Sequence, residues 1–186
     1  MRAAGEHLAL VAALDVDPAA TRRLAAYLDL LASWSQRINL TGARTAAARV
    51  DLLVRPVVPL APAVLPGTLL DLGSGNGSPG LVLAALRPDI LTTLLEPRMR
   101  RWAFLRDAAR TMGLGIVVRR HRHDEYDGPP ATNVTLRALR LPPGEIIPLL
   151  APGGRLFVLG AEPPPHPALT PVRSGQVGVH VFARPR

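Results

Sequence analysis

The sequence contains no cysteine among its 186 residues. Disulfide scaffolds, thiol nucleophiles, iron–sulfur clusters and cysteine-ligated zinc sites are therefore excluded. Lysine is absent as well, because all 22 basic residues are arginine, and this excludes Schiff-base chemistry and lysine-dependent phosphate loops. Long apolar runs are also missing. The two longest, Leu8–Leu14 and Pro56–Pro66, fall well short of the ~20 residues that cross a bilayer.

The length and composition are those of a single compact domain. Hydrophobic residues make up 48% of the chain and charged residues 19%, which is enough apolar material for a buried core. The run Leu8–Leu14 does not predict a signal peptide, because Glu6 and Asp15 flank it and no small-residue cleavage site follows. We therefore expect a cytoplasmic protein.

Positive charge is concentrated in one stretch of the chain. The formal net charge is +8, and the stretch from Arg98 to Arg122 holds eight arginines against the single acid Asp107, a net +7. Such a patch is typical of a surface that binds the phosphates of nucleic acid, although a solvated helix face would have the same composition. The candidate phosphate contacts are Arg100, Arg101, Arg119 and Arg120.

The N-terminal third of the chain has the apolar spacing of helices. Between Thr21 and Ile38 apolar residues recur every three or four positions, which predicts one amphipathic helix, and a shorter helix is expected near Leu8–Leu14. A proline-rich connection follows. We expect residues 1–66 to form a helical extension packed on a core of residues 67–186, in one compact domain.

From residue 67 onward, short apolar strands alternate with helices. This alternation predicts an α/β fold with a mostly parallel sheet and helices on both faces. The predicted strands are Thr68–Leu72, Ile90–Leu95, Ile116–Arg119, Thr132–Thr135, Leu156–Leu159 and Val177–Phe182, and the predicted helices between them are Leu81–Leu86 and Arg98–Met112.

A glycine-rich loop follows the first predicted strand. It reads Asp71-Leu72-Gly73-Ser74-Gly75-Asn76-Gly77-Ser78-Pro79-Gly80, and Ser78 and Pro79 suit the N-cap and first position of the next helix. A strand, a glycine loop and a helix N-terminus together form the usual ligand site of open α/β sheets.

Two cofactors compete for this loop. The spacing Gly75-x-Gly77-x-x-Gly80 matches a dinucleotide site. However, Asp71 would repel a pyrophosphate, whereas it suits the ammonium group of a methionine moiety, directly or through water. Glu96, at the end of the second strand, is placed to accept hydrogen bonds from ribose hydroxyls. Since S-adenosylmethionine has a ribose and an ammonium group but no phosphate, we rank it above NAD.

The sequence resembles the ribosomal RNA small subunit methyltransferase G family, also called glucose-inhibited division protein B. The resemblance extends from about Tyr27 to Gly160. It rests on motifs at Trp34 and Asn39-Leu40-Thr41, the loop Asp71-x-Gly73-x-Gly75-x-Gly77-x-Pro79-Gly80, Leu94-Leu95-Glu96, Arg100-Arg101-x-x-Phe104-Leu105, Arg137-Ala138 and Pro152-Gly153-Gly154-Arg155.

This resemblance implies a Rossmann-like class I S-adenosylmethionine-dependent methyltransferase that methylates N7 of a guanine in small-subunit rRNA. It also implies that Gly73 and Ser78 line the cofactor loop and that His123 and Asp124 lie beside the adenine. Arg137 would close the site, by positioning the substrate or by binding the cofactor carboxylate. The expected partner is small-subunit rRNA or the small ribosomal subunit.

The sequence departs from the family pattern at Arg55-Pro56 and at Gly160, where a histidine and a lysine are usual. These departures favour two alternatives: a methyltransferase of the same fold with another substrate, and a catalytically silent RNA-binding relative. A dehydrogenase ranks behind both. We expect no metal, since the histidines lack ligand spacing and His121 and His123 lie in an arginine-rich run. N7 carries its own lone pair, so no catalytic base is expected.

Overall fold

A computed structural model of the chain describes residues 5–186, so the first four residues of the predicted extension lie outside the described residues. The N-terminal region consists of three α-helices, α1 (Glu6–Ala12), α2 (Pro18–Trp34) and α3 (Ala46–Leu53), followed by a 3-10 helix, Val58–Ala63. Across residues 5–186, no helix has the length and apolar character that a bilayer crossing requires.

Helix α2 carries the apolar stripe seen in the sequence. It begins after Asp17, whose carboxylate accepts hydrogen bonds from the backbone N–H groups of Ala19 (2.8 Å) and Ala20 (3.0 Å). The helix ends at Trp34, four residues before the predicted end at Ile38, because residues 35–37 form a turn. Its buried face includes Leu24, Tyr27, Leu28 and Leu31.

In the part of the chain that the structure describes, seven strands form one mixed sheet in the order β3-β2-β1-β4-β5-β7-β6. The first five strands in this order run parallel to one another, while β7 is antiparallel to both β5 and β6. The strands are β1 (Thr68–Leu72), β2 (Leu91–Leu95), β3 (Val117–Arg119), β4 (Ala131–Arg137), β5 (Leu150–Leu159), β6 (Thr170–Val172) and β7 (Val179–Ala183). The sequence does not predict strand β6, because all three of its residues are exposed and show no apolar alternation.

Each face of the sheet is covered by a separate apolar cluster. The larger cluster joins α1, α2 and α3 to α4 (Gly80–Leu86) and α5 (Met99–Thr111), and the smaller one packs under the short helix α6 (Pro143–Ile146) and irregular chain. Residues of β1 alternate between the two clusters, with Leu69 in the larger and Leu70 and Leu72 in the smaller. This is a Rossmann-like α/β architecture with helices on both faces of a mostly parallel sheet, as predicted.

The N-terminal helices pack on α5 through aromatic side chains. The rings of Tyr27 and Trp34 lie 6.4 and 5.9 Å from the ring of Phe104, and the Trp34 indole N–H donates to Asp107 Oδ2 (3.1 Å). After α2, the Asn39 carbonyl accepts a hydrogen bond from Arg101 of α5 (3.4 Å), and the Leu40 carbonyl accepts one from the Asn76 side chain in the loop after β1 (3.2 Å).

Candidate functional site

A cavity of about 480 Å³ opens at the carboxyl ends of β1, β2 and β4. The direction of chain connection reverses between β1 and β4, and this is the position at which open α/β sheets bind ligands. Residues at or after the ends of four neighbouring strands, β3, β2, β1 and β4, line the cavity, together with one residue of the N-terminal region. These residues are Leu40, Gly73, Ser74, Gly75, Asn76, Ser78, Glu96, Pro97, Arg98, Arg101, His121, Arg122, His123, Arg137, Ala138, Leu139 and Leu141.

Glu96 lies at the end of β2 with only 3% of its surface exposed. The backbone N–H of Gly75 donates to its Oε2 (3.0 Å), and the backbone N–H of Arg98 donates to its Oε1 (2.8 Å). A carboxylate oxygen can accept two hydrogen bonds, and each Glu96 oxygen accepts one of those just described, so Glu96 retains acceptor capacity toward the cavity. A fixed, buried carboxylate with spare acceptor sites suits a pair of ribose hydroxyls.

The glycine loop is shaped by backbone conformations that favour glycine. Gly73, Gly75 and Gly77 all have positive φ angles, of 66°, 53° and 94°. A Cβ on Gly75 would meet nothing closer than 3.5 Å, so this residue leaves the backbone open to a ligand. A Cβ on Gly77 would lie 2.5 Å from Leu81, and this glycine packs into the protein rather than lining the cavity.

The N-terminal region holds the loop from the other side. Tyr27 is buried and its hydroxyl donates to the Asn76 carbonyl (2.8 Å), while the Asn76 side-chain amide donates to the Leu40 carbonyl (3.2 Å). The Ser78 hydroxyl donates to the carbonyl of Leu53 in α3 (2.7 Å). Helix α4 begins only at Gly80, so the prediction that Ser78 is its N-cap is wrong: the tertiary hydrogen bond takes the hydroxyl instead.

Asp71 lies beneath the loop and does not line the cavity. Its Oδ1 accepts from the Thr135 hydroxyl (2.6 Å), and Gly80 packs against the carboxyl group. Burial raises the pKa of Asp71 to about 6, a stronger effect than the opposing hydrogen bonds from Thr135 and Ser74. The structure therefore does not bring this predicted residue into direct contact with a ligand in the cavity.

Arg137 is a partly buried cation at the cavity wall. Its Nη1 donates to the Ser78 hydroxyl oxygen (2.9 Å) and its Nη2 to the carbonyl of Leu52 in the last turn of α3 (2.8 Å). Burial lowers its pKa below the usual arginine value. Both partners are neutral, and a guanidinium group has five N–H donors, so Arg137 can still bind an anion.

The far side of the cavity is formed by the segment after β3. His123 lines it, with Nε2 held 2.6 Å from Glu145 Oε2, whereas Asp124 is exposed and paired with Arg122 (3.0 Å), outside the cavity. Sequence reasoning missed His121, which also lines the cavity, and the aliphatic residues Leu139 and Leu141. No sequence motif marks these three positions.

Residues Gly73, Gly75, Ser78, Glu96, His123 and Arg137 thus converge on one cavity, and Asp71, Gly77 and Asp124 do not. The donor set fits S-adenosylmethionine, with a carboxylate for the ribose, a cation for the carboxylate end and aliphatic surface for the adenine. Within residues 5–186 no group of three His, Asp or Glu side chains is arranged to hold a metal ion.

The predicted phosphate contacts differ in their surroundings. Arg101 lines the cavity, and Arg100 lies in an adjoining groove. Arg119 is paired with Asp127 (2.7 Å) and lies over the Tyr126 ring, while Arg120 Nη1 lies 3.7 Å from the sulfur of Met99.

Comparison with solved structures shows the same fold in known methyltransferases. A candidate methyltransferase of Escherichia coli, yhhF, aligns with a TM-score of 0.57 at 21% identity, over 68% of this chain and 82% of that protein. An RNA methyltransferase from Salinibacter ruber, solved in complex with S-adenosyl-L-homocysteine, aligns with a TM-score of 0.54 at 23% identity, over 70% of this chain and 89% of that protein.

Sequence comparison is more specific. The family model "rRNA small subunit methyltransferase G" matches residues 20–163. The ribosomal RNA small subunit methyltransferase G of Halorhodospira halophila is 38% identical over 160 residues, which cover 80% of this chain and 73% of that protein. The glycine loop, Glu96 and Arg137 all fall within the matched region, and the chain therefore belongs to the rRNA small subunit methyltransferase G family of S-adenosylmethionine-dependent methyltransferases.

Proposed function

We propose that this protein transfers the methyl group of S-adenosylmethionine to N7 of a guanine in small-subunit (16S) ribosomal RNA. The observation that carries the proposal is the position of Glu96, a buried carboxylate that fixes the glycine loop and still faces the cavity. A carboxylate at this point suits the ribose of the cofactor. Membership of the family supports the rRNA substrate.

The first task of the chain is to hold the cofactor in one orientation. Glu96 binds the ribose hydroxyls, and Arg137 binds the carboxylate of the methionine moiety. We assign Arg137 to this role because, among residues 5–186, its side chain bonds only to the neutral oxygens of Ser78 and Leu52, which leaves its charge available to a carboxylate. Two charged anchors on different parts of one molecule restrict its rotation, and such restriction contributes ~7–11 kcal/mol when it aligns reacting atoms.

The second task is to admit the purine without taking a proton from it. The sulfonium group of the bound cofactor supplies an electrophilic methyl group. N7 attacks with its own in-plane lone pair, so no side chain has to act as a base, and the His123 ring is already held by Glu145. The reaction would move positive charge from the sulfur onto the purine, and carboxylate or carbonyl oxygens near the purine would lower the cost of that charge.

We expect the partner to be small-subunit rRNA or the assembled small subunit, and the reaction to take place in the cytoplasm. We also propose that residues 5–66 belong to the same compact unit as the core from residue 67 onward. The hydrogen bonds from Tyr27 and Asn76 support this, because they join the N-terminal region directly to the cofactor loop.

The decisive experiment uses cofactor with a labelled methyl group and small subunits from cells that lack the activity. We expect label in 16S rRNA, recovered as N7-methylguanosine after digestion, and a large loss of label with Glu96→Ala. Label in protein or small molecules alone would indicate a different substrate. Salt-dependent RNA binding without methyl transfer would indicate a catalytically silent relative.

A further inference from the structure

A groove of about 430 Å³ lies beside the cofactor cavity, between the chain that follows α2 and the first turn of α5. Its lining is Arg37, Ile38, Asn39, Arg98, Met99, Arg100 and Arg101. Arg98 and Arg101 line both the groove and the cavity, so the two openings adjoin. The groove exists only because the N-terminal region and the core meet there.

The structure places seven of the eight arginines of the basic stretch in two groups. The eighth, Arg120, lies outside both: its Nη1 is 3.7 Å from the sulfur of Met99, and it does not line the groove. The first group has partners: Arg106 stacks over Trp102 at 4.8 Å, and three others are paired with carboxylates at 2.5–3.0 Å. These three pairs are Arg110–Asp107, Arg119–Asp127 and Arg122–Asp124.

The second group, Arg98, Arg100 and Arg101, lines the groove together with Arg37 from the N-terminal region. Within residues 5–186, no carboxylate lies within 4.0 Å of the side-chain nitrogens of Arg37, Arg98, Arg100 or Arg101. Arg101 donates to a neutral oxygen, the Asn39 carbonyl, at 3.4 Å. Every arginine of the groove is therefore available to an external anion.

The start of α5 adds to this positive potential. The helix has 13 residues and its first turn contains no acidic residue, although the Glu96 carboxylate just before it accepts a hydrogen bond from the backbone N–H of Arg98 (2.8 Å). Four guanidinium groups and the positive end of a helix dipole outweigh this single carboxylate, so the groove keeps a net positive potential that attracts an anion. A phosphodiester group is the anion that matches this set best, because guanidinium groups bind two phosphate oxygens at once.

We propose that this groove binds a backbone phosphate of the RNA next to the target nucleotide, and so holds the nucleotide at the mouth of the cavity. The proposal rests on the proposed function and adds Arg37 and Arg98 to the RNA-contacting residues. The exposed side chain of Met99 offers apolar surface to the adjacent sugar. RNA is favoured over an acidic protein because the groove opens into the cavity where a nucleotide base must enter.

The test compares two double variants that remove the same charge. The first variant, Arg37→Gln/Arg100→Gln, alters the groove and leaves the cofactor cavity intact, because neither residue lines that cavity. Arg106→Gln/Arg110→Gln alters partnered arginines of the same helix and is the matched control. For each variant we would measure the KM for undermethylated small subunits, the affinity for S-adenosylhomocysteine, and the salt dependence of 16S rRNA binding.

We expect the groove variant to raise the KM at least tenfold with unchanged S-adenosylhomocysteine affinity. The negative slope of its log affinity against log salt should become shallower by about 0.7 for each phosphate that the variant no longer binds. The KM and the slope of the control variant should remain near those of the wild type. Equal KM values and equal slopes for the two variants would overturn the proposal. So would polyglutamate competing with 16S rRNA as strongly as polyuridylate.

A failure of the proposed methyl transfer can be distinguished from a failure of the groove proposal. In that case the wild-type protein itself transfers no methyl group to 16S rRNA, whatever the variants do. The salt-dependence measurement still tests the groove then, because it needs RNA binding and not methyl transfer. A wild-type protein that binds no RNA would overturn both proposals.

Discussion

Replacing Asp71 by asparagine removes a carboxyl group that burial makes difficult to ionise, and this changes how stability depends on pH. The pKa of Asp71 in the folded protein is about 6, against an ordinary value of 3.8. At pH values between 3.8 and 6 the Asp71 carboxyl group is therefore mostly protonated in the folded protein and mostly ionised in the unfolded chain. Stability conferred through this group is therefore highest below pH 4 and decreases as pH rises toward 6.

The size of the effect follows from the difference between the two pKa values. Each pH unit is worth about 1.4 kcal/mol, so the ionisation of Asp71 costs the folded state about 3 kcal/mol by the time pH exceeds 6. We expect the unfolding free energy of the wild type, relative to Asp71→Asn, to fall by about that amount between pH 4 and pH 8. Urea denaturation of both proteins at a series of pH values measures it.

An exposed carboxylate provides the control. Asp89 is paired with Arg87 at 2.7 Å, which lowers the pKa of Asp89, so Asp89→Asn should give a small pH dependence of opposite sign. A constant stability difference between wild type and Asp71→Asn across this pH range would refute the reasoning, since it would mean that Asp71 ionises as readily in the folded as in the unfolded chain.

Three further predictions concern the loop and its surroundings. Tyr27→Phe removes the hydrogen bond to the loop carbonyl and should weaken S-adenosylhomocysteine binding roughly fivefold, or about 1 kcal/mol, as measured by calorimetric titration. Gly80→Ala places a Cβ 2.5 and 2.6 Å from buried side-chain atoms and should lower the unfolding free energy by about 1–3 kcal/mol, whereas Gly42→Ala, which has open space, should not. Arg137→Gln should weaken S-adenosylhomocysteine binding by about 10–100-fold, since hydrogen bonds between charged groups contribute about 1.5–3 kcal/mol. The same variant should bind adenosine as the wild type does, because adenosine lacks the carboxylate. Equal losses of affinity for both ligands would contradict our assignment of Arg137.

Local signals in the sequence predicted most of the core elements. Strand β1 is found at its predicted boundaries, and β2 and α5 are each shorter by only one or two residues, because glycine, proline and a change in apolar period mark their ends. Helix α6 has four residues and gave no periodic signal. The sequence also did not reveal the early end of α2, since Ile38, four residues after Trp34, continues the apolar spacing past the last helical turn.

In the candidate site, too, the sequence predicted some residues and missed the contacts of others. The glycine loop and Glu96 could be predicted because each directly follows a strand, and parallel strands bring their carboxyl ends together. The partners of Arg137 could not be predicted, because Ser78 and Leu52 lie 59 and 85 residues away in the sequence. The pairing of Arg119 with Asp127 likewise appears only in three dimensions.

The most direct test of the account is calorimetric titration of S-adenosylhomocysteine into the wild-type protein and into Glu96→Ala, with thermal denaturation to confirm that both are folded. Two ribose hydrogen bonds to a carboxylate contribute about 3–6 kcal/mol, so we expect saturable one-site binding to the wild type and a loss of at least about 100-fold in the variant. Binding of equal affinity to both proteins, or no binding to the folded wild type, would contradict the assignment of this cavity to S-adenosylmethionine.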